Sequence, residues 1–402
     1  MIGGADMRIP REVEKIIETL EAGGFEAYAV GGCVRDTLLG REPEDWDITT
    51  SARPEQVKRL FRRTIDTGIQ HGTVTVLENH RGFEVTTYRI DGEYEDGRHP
   101  KNVEFTASLT EDLKRRDFTI NAMAYSKKTG IVDEFGGVED LERGIIRCVG
   151  TAKERFTEDA LRILRAIRFS AQLGFDIEER TLEAVREIAP NLVHVSKERI
   201  QVELTKLLKS PHPERMHLVF DTGIAPYVSA HFAEAGNPGE GGAKNWLTAE
   251  FEAEKSVRWA AFLRALESPG ACRILKELKL DNDTISRVRL LAENWRRPFP
   301  AEKYELRKAM SRMDGEMFDC LLGFRETAGT DSPAQAERLQ ELTGEIRRAG
   351  DCISLKELAV TGRDLIDAGV KPGPEIGERL NRMLEEVLRC PEHNTKEYLL
   401  RF

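Results

Sequence analysis

The stretch "VGGCVRDTLLGREPEDWDITT", Val30–Thr50, decides the fold of the N-terminal part of the chain. Its pattern predicts the end of a short buried strand, then a short helix, then a second strand, "WDITT". On that second strand Asp45 and Asp47 stand two residues apart, so their side chains share one face, while Trp46 points into the core. Two carboxylates so close together repel each other unless a cation or hydrogen-bond donors lie between them. The pair is therefore either a solvated strand face or a metal site.

The glycines before the helix add a second possible function to the same stretch. Gly31 and Gly32 would let the backbone approach a ligand closely, and the free N–H groups of a helix start favour anions. Arg35 adds a fork-shaped cation that suits phosphate. The alternative is a turn in which the glycines serve backbone geometry alone.

The surrounding pattern predicts an α/β block that ends near residue 150. Residues 10–22 have the period of an amphipathic helix, and "GTVTVLE" with "GFEVTTYRI" predicts a β-hairpin. On this hairpin Glu84 lies on the polar face, where it is either a third carboxylate of the site or a solvated side chain. Residues 91–100, "DGEYEDGRHP", predict a mobile loop. Beyond residue 150 the pattern is helical, with a Gly-rich exposed loop expected at residues 233–244.

Composition narrows the class of protein. The formal net charge of −10 disfavours a nonspecific nucleic-acid binder but leaves room for a local basic groove. The six cysteines are scattered without a CxxC pair, which argues against a zinc ribbon or a disulfide framework and suits a reducing cytosol. No apolar run is long enough for an ordinary transmembrane helix, and no signal peptide is expected.

The segment "KRRDFT" adds positive charge to the predicted site. Arg116, with Arg115 as a possible second group, can neutralise triphosphate oxygens, although adjacent arginines are usually surface charge. Carboxylates that hold metal, a loop that approaches phosphate and the lack of a covalent nucleophile together favour phosphoryl transfer assisted by two metal ions.

A second cluster, "RFTEDALRILRAIRF", covers residues 155–169. It predicts one helix that begins near Thr157 and contains an Asp159–Arg162 pair. A cationic stripe of Arg162, Arg165 and Arg168 runs along it. Such a stripe repels itself unless anions are near, which favours phosphate. The alternative is an ordinary helix with a charged face.

The Asp159–Arg162 pair also matches a nucleobase edge. A carboxylate accepts from an exocyclic amino group while a guanidinium donates to the adjacent ring nitrogen. Cytosine and adenine offer that arrangement, whereas uracil and guanine present the reverse polarity. If the pair faces a base, it would accept C and A and reject U and G, because mismatched buried polar groups are costly.

Taken together, "GGCVRDTLLG", "DWDITTSA", "DGRHP", "RRDFTINAMAY" and "RFTEDALRILRAIRFSAQLGF" resemble the class II tRNA nucleotidyltransferases. This family contains the CCA-adding enzymes and the bacterial poly(A) polymerases. The later "SKERIQVELTKLL" and "VKPGPEIGERLNRMLEEVL" are similar to the neck and tail of its short bacterial branch. The resemblance extends from about residue 10 almost to the C-terminus.

The resemblance implies an α+β fold, with a polymerase-β-like head followed by helical neck, body and tail domains. The head would span residues 1–150, the neck with its base-selecting and RNA-binding elements 151–240, and the body and tail that bind tRNA 241–402. Asp45 and Asp47 would ligate Mg²⁺, with Glu84 as a further catalytic carboxylate. The nucleotide-binding residues would be Gly32, Arg35, Arg116, Asp159, Arg162, Arg165 and Arg168.

The implied function is template-independent addition and repair of the 3′-terminal CCA of tRNA from CTP and ATP, with release of pyrophosphate. No membrane or protein partner is inferred. The segment "DGEYEDGRHP" between the two head motifs favours a full CCA enzyme or an A-adding one over a CC-adding one. An A-adding enzyme or poly(A) polymerase remains the alternative within the family. An RNA-binding protein without catalysis is the alternative of another class. "VKPGPEIG" is either a hairpin whose amides hold tRNA phosphates or a plain turn between helices.

Overall fold

The computed structural model describes residues 7–91, 103–236 and 248–402. The predicted loop at 91–100 lies almost wholly outside them, as do residues 237–244 of the predicted Gly-rich loop. Residues 232–236 of that region form a short 3-10 helix, Phe232–Gly236. The chain divides into two compact units, residues 1–249 with 273–280, and residues 250–272 with 281–402. None of the described helices is long and apolar enough to span a membrane.

Within the described ranges, every strand belongs to the first unit, in which short helices cover a mixed sheet. The strands are β1 Ala27–Val30, β2 Asp47–Thr50, β3 Thr64–Gly68, β4 Thr73–Glu78, β5 Arg81–Thr87, β6 Arg89–Asp91, β7 Val103–Phe105, β8 Ala124–Ser126, β9 Gly130–Val132, β10 Ile145–Ile146 and β11 Asp176–Ile177. The helices up to residue 150 are α1 Arg11–Ala22, α2 Gly32–Leu38, α3 Pro54–Leu60, α4 Leu109–Lys114 and α5 Gly137–Arg143.

The main sheet has the strand order β3-β4-β5-β2-β1-β8-β9. Strands β2 and β5 pair in parallel, and this pairing sets Asp47 directly beside Glu84. The predicted hairpin is confirmed as β4 and β5. Val74 of β4 and Val85 of β5 are paired across the two strands, and both are buried. The predicted first helix is confirmed as α1, whose buried face is the apolar stripe that its period predicts. Burial of each such aliphatic side chain contributes about 1.5–3 kcal/mol to folding.

From residue 150 to residue 236 the described chain is mainly helical, as predicted. The helices there are α6 Ala152–Glu158, α7 Leu161–Leu173, α8 Glu179–Ile188, α9 Lys197–Leu208, α10 His217–Asp221 and α11 Ala225–Val228. The prediction of a single helix from Thr157 onward is wrong. α6 ends at Glu158 and α7 begins at Leu161, and the Thr157 hydroxyl donates to the carbonyl of Lys153 within α6 rather than capping a helix. The chain therefore bends at Asp159 and Ala160.

The remaining helices are α12 Lys255–Leu263, α13 Ser268–Glu277, α14 Asn282–Asn294, α15 Lys303–Met310, α16 Gly315–Thr327, α17 Pro333–Ala349, α18 Gly362–Asp367, α19 Pro374–Arg389 and α20 Lys396–Leu399. The C-terminal helices pack around a cluster that includes Val360, Leu365, Val387 and Leu399. The "VKPGPEIG" segment is the turn between α18 and α19, and Pro374 begins the second helix because its fixed φ suits a first helical turn.

Candidate active site

The turn between β1 and α2 carries the first part of the candidate site. Gly31 has φ 81°, a conformation that side chains rarely adopt, and a Cβ at this position would lie 3.0 Å from Arg116 Nη1. Gly32 begins α2, so its N–H is one of the helix-start groups without an intrahelical partner. The glycine pair thus lets a guanidinium lie against the backbone at the start of a helix.

Three carboxylates lie close together on two central strands of the sheet and in the segment that precedes one of them. β2 begins at Asp47, so Asp45 precedes the strand rather than lying on it, which differs from the predicted "WDITT". Trp46 is buried as predicted, and Asp45 and Asp47 remain exposed. Glu84 lies on the neighbouring strand, in register with Asp47, and is also exposed. The prediction that both aspartates lie on one strand is therefore wrong for Asp45, whereas Asp47 and Glu84 are neighbours across two paired strands.

The charges around Asp47 suit a divalent cation. Partial desolvation raises the pKa of the Asp47 carboxyl, Arg116 acts against this rise, and the negative charges of Glu84 and Asp45 add to it. Carboxylates that disfavour each other's charge gain when a cation lies between them. Oxygen ligands of this kind fit a hard ion such as Mg²⁺, which keeps waters and takes substrate phosphates as further ligands.

Arg116 is the cation that faces these carboxylates. Burial lowers its pKa, and the negative charges of Asp112 and Asp47 oppose this effect. Its Nη2 lies 3.6 Å from Asp112. Its Nε is buried and finds no hydrogen-bond partner in the described part of the chain. An unsatisfied buried N–H costs about 1–3 kcal/mol, so a ligand oxygen that accepted from this Nε would be favoured. Arg115 pairs with Asp112 at 3.1 Å instead.

Arg35 already has strong partners. Its Nε donates to Asp36 at 2.8 Å, and its Nη1 donates to Asn121 at 2.7 Å. The guanidinium also lies over the ring of Phe169 in α7, 5.1 Å from its centroid. The residue is almost fully buried, with 9% of its surface exposed. Arg35 therefore connects the turn of the head to α7, and its charge is balanced by Asp36 in the absence of phosphate.

The arginine stripe of α7 is neutralised by the protein itself. Arg165 donates to Asp117 at 2.8 Å, and Arg168 donates to Glu203 of α9 at 2.5 Å. Burial alone would raise the pKa of Asp117, but the ion pair and hydrogen bond with Arg165 lower it to about 2. The argument that the stripe needs phosphate is therefore wrong for Arg165 and Arg168, because Asp117 and Glu203 supply the anions.

The bend between α6 and α7 places Asp159 and Arg162 with different partners from the predicted ones. Both Asp159 oxygens accept from Arg199 of α9, at 3.3 and 2.7 Å. Arg162 donates to Glu158 at 2.8 Å and to the carbonyl of Arg115 at 3.3 Å. The ion pairs observed are thus Asp159–Arg199 and Arg162–Glu158, because the helix is broken at Asp159. Arg162 reaches the "KRRD" segment, so α7 contacts the α/β part of the first unit here.

The structure brings the predicted residues together in two adjoining groups. Asp45, Asp47 and Glu84 lie together with Arg116. Arg35, Arg165 and Arg168 surround the Phe169 ring, while Asp159 and Arg162 lie at the bend that precedes it. Sequence reasoning missed their charged partners Asp112, Asp117, Arg199 and Glu203 and the hydrogen-bond partner of Arg35, Asn121. Arg199 and Glu203 stand four residues apart in "SKERIQVELTK", a helical spacing that indicates a shared face.

Comparison with known proteins covers most of the chain. Residues 27–147 match the poly A polymerase head domain, and residues 174–234 match a probable RNA and SrmB-binding site of polymerase A. Residues 250–402 match a putative tRNA nucleotidyltransferase domain 2. The CCA-adding enzyme of Geobacillus kaustophilus is 40% identical over 388 residues, which cover 95% of this chain and 93% of the relative. The chain belongs to the CCA-adding enzyme family.

Further members of the CCA-adding enzyme family are similar over comparable lengths. The CCA-adding enzyme of Streptococcus mutans is 39% identical, covering 98% of this chain and 96% of that protein. The crystal structure of the Bacillus stearothermophilus CCA-adding enzyme with CTP has a TM-score of 0.82 and 34% identity, and covers 97% of this chain and 95% of that one. The α+β fold expected from the sequence is thereby confirmed. Nucleotidyltransferases of this family generally use divalent metal ions.

Proposed function

We propose that this chain is a CCA-adding tRNA nucleotidyltransferase, which builds and repairs the 3′-terminal CCA of tRNA from CTP and ATP. The observation that carries the proposal is the Asp47–Glu84 register beside Arg116, a partly buried arginine whose Nε has no hydrogen-bond partner in the described residues. The near full-length similarity to proteins named CCA-adding enzymes supports it. A chain that only bound RNA would have no need for carboxylates that converge on a phosphate-binding cation.

Asp45 and Asp47 are the proposed metal ligands, with Glu84 as the adjacent carboxylate, and Mg²⁺ is the proposed ion. Bound there, Mg²⁺ would neutralise triphosphate charge and lower the pKa of the attacking 3′-hydroxyl. The exposure of all three carboxylates suits an ion that retains water and is shared with the substrate.

The proposed nucleotide contacts lie on both sides of the carboxylates. Arg116 Nε would donate to a phosphate oxygen, which would satisfy the buried donor. The N–H of Gly32 at the start of α2 would donate in the same region. Arg35, Arg165 and Arg168 are also proposed nucleotide-binding residues. Because each is already paired with a carboxylate, we propose that they act mainly by shaping the wall of the site.

The base would be selected by Asp159 and Arg162. The carboxylate of Asp159 already accepts three hydrogen bonds, two from Arg199 and one from the N–H of Leu161. A carboxylate has about four acceptor sites, so room remains for the amino group of C or A. Arg162 would donate to the adjacent ring nitrogen.

The chain has three proposed functional parts. Residues 1–150 form the catalytic head, residues 151–240 the neck that selects bases and binds RNA, and residues 241–402 the body and tail that bind tRNA. We place the enzyme in the cytoplasm. The six cysteines, all within the described residues, are free thiols, as suits a reducing compartment.

The test supplies tRNAs that lack CCA, CA or the final A, together with each nucleoside triphosphate and Mg²⁺. We expect C, C and A to be added in turn to the shortest tRNA, with pyrophosphate released. Addition of A alone, and only after CC, would assign the A-adding alternative. Long A tracts would assign a poly(A) polymerase.

The Asp159–Arg199 pair makes a prediction about specificity. In Arg199→Met, Asp159 loses the donors that orient it, so we expect the preference of kcat/KM for CTP over UTP to fall about tenfold or more. Asp159→Ala should lower the preference for CTP over UTP further. Arg199→Lys keeps the positive charge but loses the bidentate contact with Asp159, so its preference for CTP should lie between those of Arg199→Met and the unaltered chain.

The matched control for this prediction is Lys206→Met, which removes an exposed cation from the same helix. We expect Lys206→Met to leave the preference unchanged. Unaltered discrimination in Arg199→Met, with a normal fold by circular dichroism, would contradict the role of Arg199.

A further inference from the structure

The end of α19 gathers three side chains of different chemistry that the proposed reaction does not use. Glu386, Cys390 and His393 each offer one ligand atom, and these three atoms lie within 4.8 Å of one another. All three residues are partly buried. Carboxylate, thiolate and imidazole are together the ligand set of Zn²⁺ rather than of Mg²⁺ or Ca²⁺.

The backbone brings these residues together. α19 ends at Arg389, and the N–H of Cys390 still donates to the carbonyl of Glu386 at 2.9 Å. The chain then turns through the 3-10 helix Pro391–His393, where the N–H of His393 donates to the carbonyl of Cys390 at 2.9 Å. The turn returns the imidazole to Glu386, with Nδ1 2.7 Å from Oε1.

This arrangement is held by a rigid surrounding structure. Val387 and Leu388, which follow Glu386, are buried in the core of the unit, as is Leu399 beyond the turn. Arg307, itself only 6% exposed, donates to the carbonyls of Leu388 and Arg389 at 2.7 and 3.3 Å. The three ligand positions are therefore preorganised by packing, as a metal site requires.

Tyr398 supplies the outer contacts that metal ligands need. Its hydroxyl donates to Glu386 Oε1 at 3.0 Å, and its ring stacks on His393 with centroids 4.0 Å apart and planes 19° apart. Hydrogen bonds and stacking of this kind fix the orientation of ligating groups.

We propose that Glu386, Cys390 and His393 bind one Zn²⁺ ion, with water as the fourth ligand. The ion replaces the direct Glu386–His393 hydrogen bond, and the thiol loses its proton on binding. One carboxylate and one thiolate balance the two charges of the ion. The site joins the end of α19 to the turn that precedes α20, so it stabilises the C-terminal part of the second unit and takes no part in nucleotide transfer.

The test uses Co²⁺ as a spectroscopic probe of the reduced, full-length chain after treatment with a chelator. Cobalt bound to a thiolate gives a charge-transfer absorption in the near ultraviolet, whereas cobalt on the carboxylates of Asp45 and Asp47 does not. We expect this absorption to saturate at one equivalent, to disappear on addition of Zn²⁺, and to be lost in Cys390→Ser. His393→Gln should weaken cobalt binding at least tenfold, and Tyr398→Phe about tenfold.

Cys320→Ser is the matched control, because Cys320 is also a partly exposed free thiol. It should keep the full absorption. The proposal is wrong if the unaltered chain gives no thiolate absorption at a several-fold molar excess of Co²⁺. It is equally wrong if the absorption persists in both Cys390→Ser and His393→Gln. Circular dichroism of each variant separates loss of the site from loss of the fold.

Discussion

Replacement of Asp47 by Asn is expected to lower nucleotide incorporation by about 10³-fold or more while tRNA binding persists. The change removes a charge that we propose holds the metal ion and leaves the size of the side chain almost unaltered. Loss of several kcal/mol of charge stabilisation in the transition state corresponds to this factor, since each 1.36 kcal/mol is tenfold in rate. Asp45→Asn should have a similar effect. The measurement is single-turnover addition of C to tRNA, with tRNA affinity determined in parallel.

Glu44→Gln is the control for the Asp47 prediction, because Glu44 is exposed, is adjacent to Asp45 and has no proposed role. It should retain activity within a factor of about two. The activity of Glu84→Gln should lie between those of Asp47→Asn and Glu44→Gln, since Glu84 is beside Asp47 but is not a proposed direct metal ligand. Near-normal incorporation by Asp47→Asn, or equal losses in Asp47→Asn and Glu44→Gln, would contradict the proposed site.

The carboxylate face could be foreseen from sequence only in part. The alternation of "GFEVTTYRI" places Glu84 on the polar face of its strand, which the structure confirms. Sequence alone does not specify that β5 pairs in parallel with β2, because β3 and β4 intervene along the chain. That pairing, a nonlocal contact, is what sets Glu84 beside Asp47. The sequence therefore predicts which carboxylates belong to the site, but it does not predict the strand pairing that brings Glu84 beside Asp47.

Helix α7 shows why the partners of charged residues are harder to predict than secondary structure. The stripe of Arg165 and Arg168 was visible, but the anions that balance it, Asp117 and Glu203, come from distant parts of the chain. Their pairing depends on how α7 packs against α9 and the head. The break at Asp159 was missed because residues 155–169 have continuous helical period, while tertiary contacts such as Asp159–Arg199 favour the bend. Local pattern predicts elements well, and it does not predict partners.

In the second unit, Arg325→Met is expected to lower the local free energy of unfolding by about 3–5 kcal/mol. Arg325 is 1% exposed and makes two hydrogen bonds to Asp331, at 2.7 and 2.6 Å. Its Nη1 also donates to the carbonyls of Asn294, Trp295 and Arg297 at the end of α14. Methionine keeps much of the volume but leaves a buried carboxylate without its partner, which costs this amount in other proteins. Hydrogen exchange of the α14 and α16 amides measures the change.

Arg338→Gln, in the exposed Arg338–Glu341 pair, is the control and should cost less than about 1 kcal/mol. The double variant Arg325→Met/Asp331→Leu distinguishes the two functions of Arg325. It removes the unpaired carboxylate, so it should be more stable than Arg325→Met alone. It should still be less stable than the unaltered chain, because the α14 carbonyls lose a donor that no apolar side chain replaces. Full recovery in the double variant would show that the ion pair alone mattered. A cost for Arg325→Met no greater than that for Arg338→Gln would contradict the buried network itself.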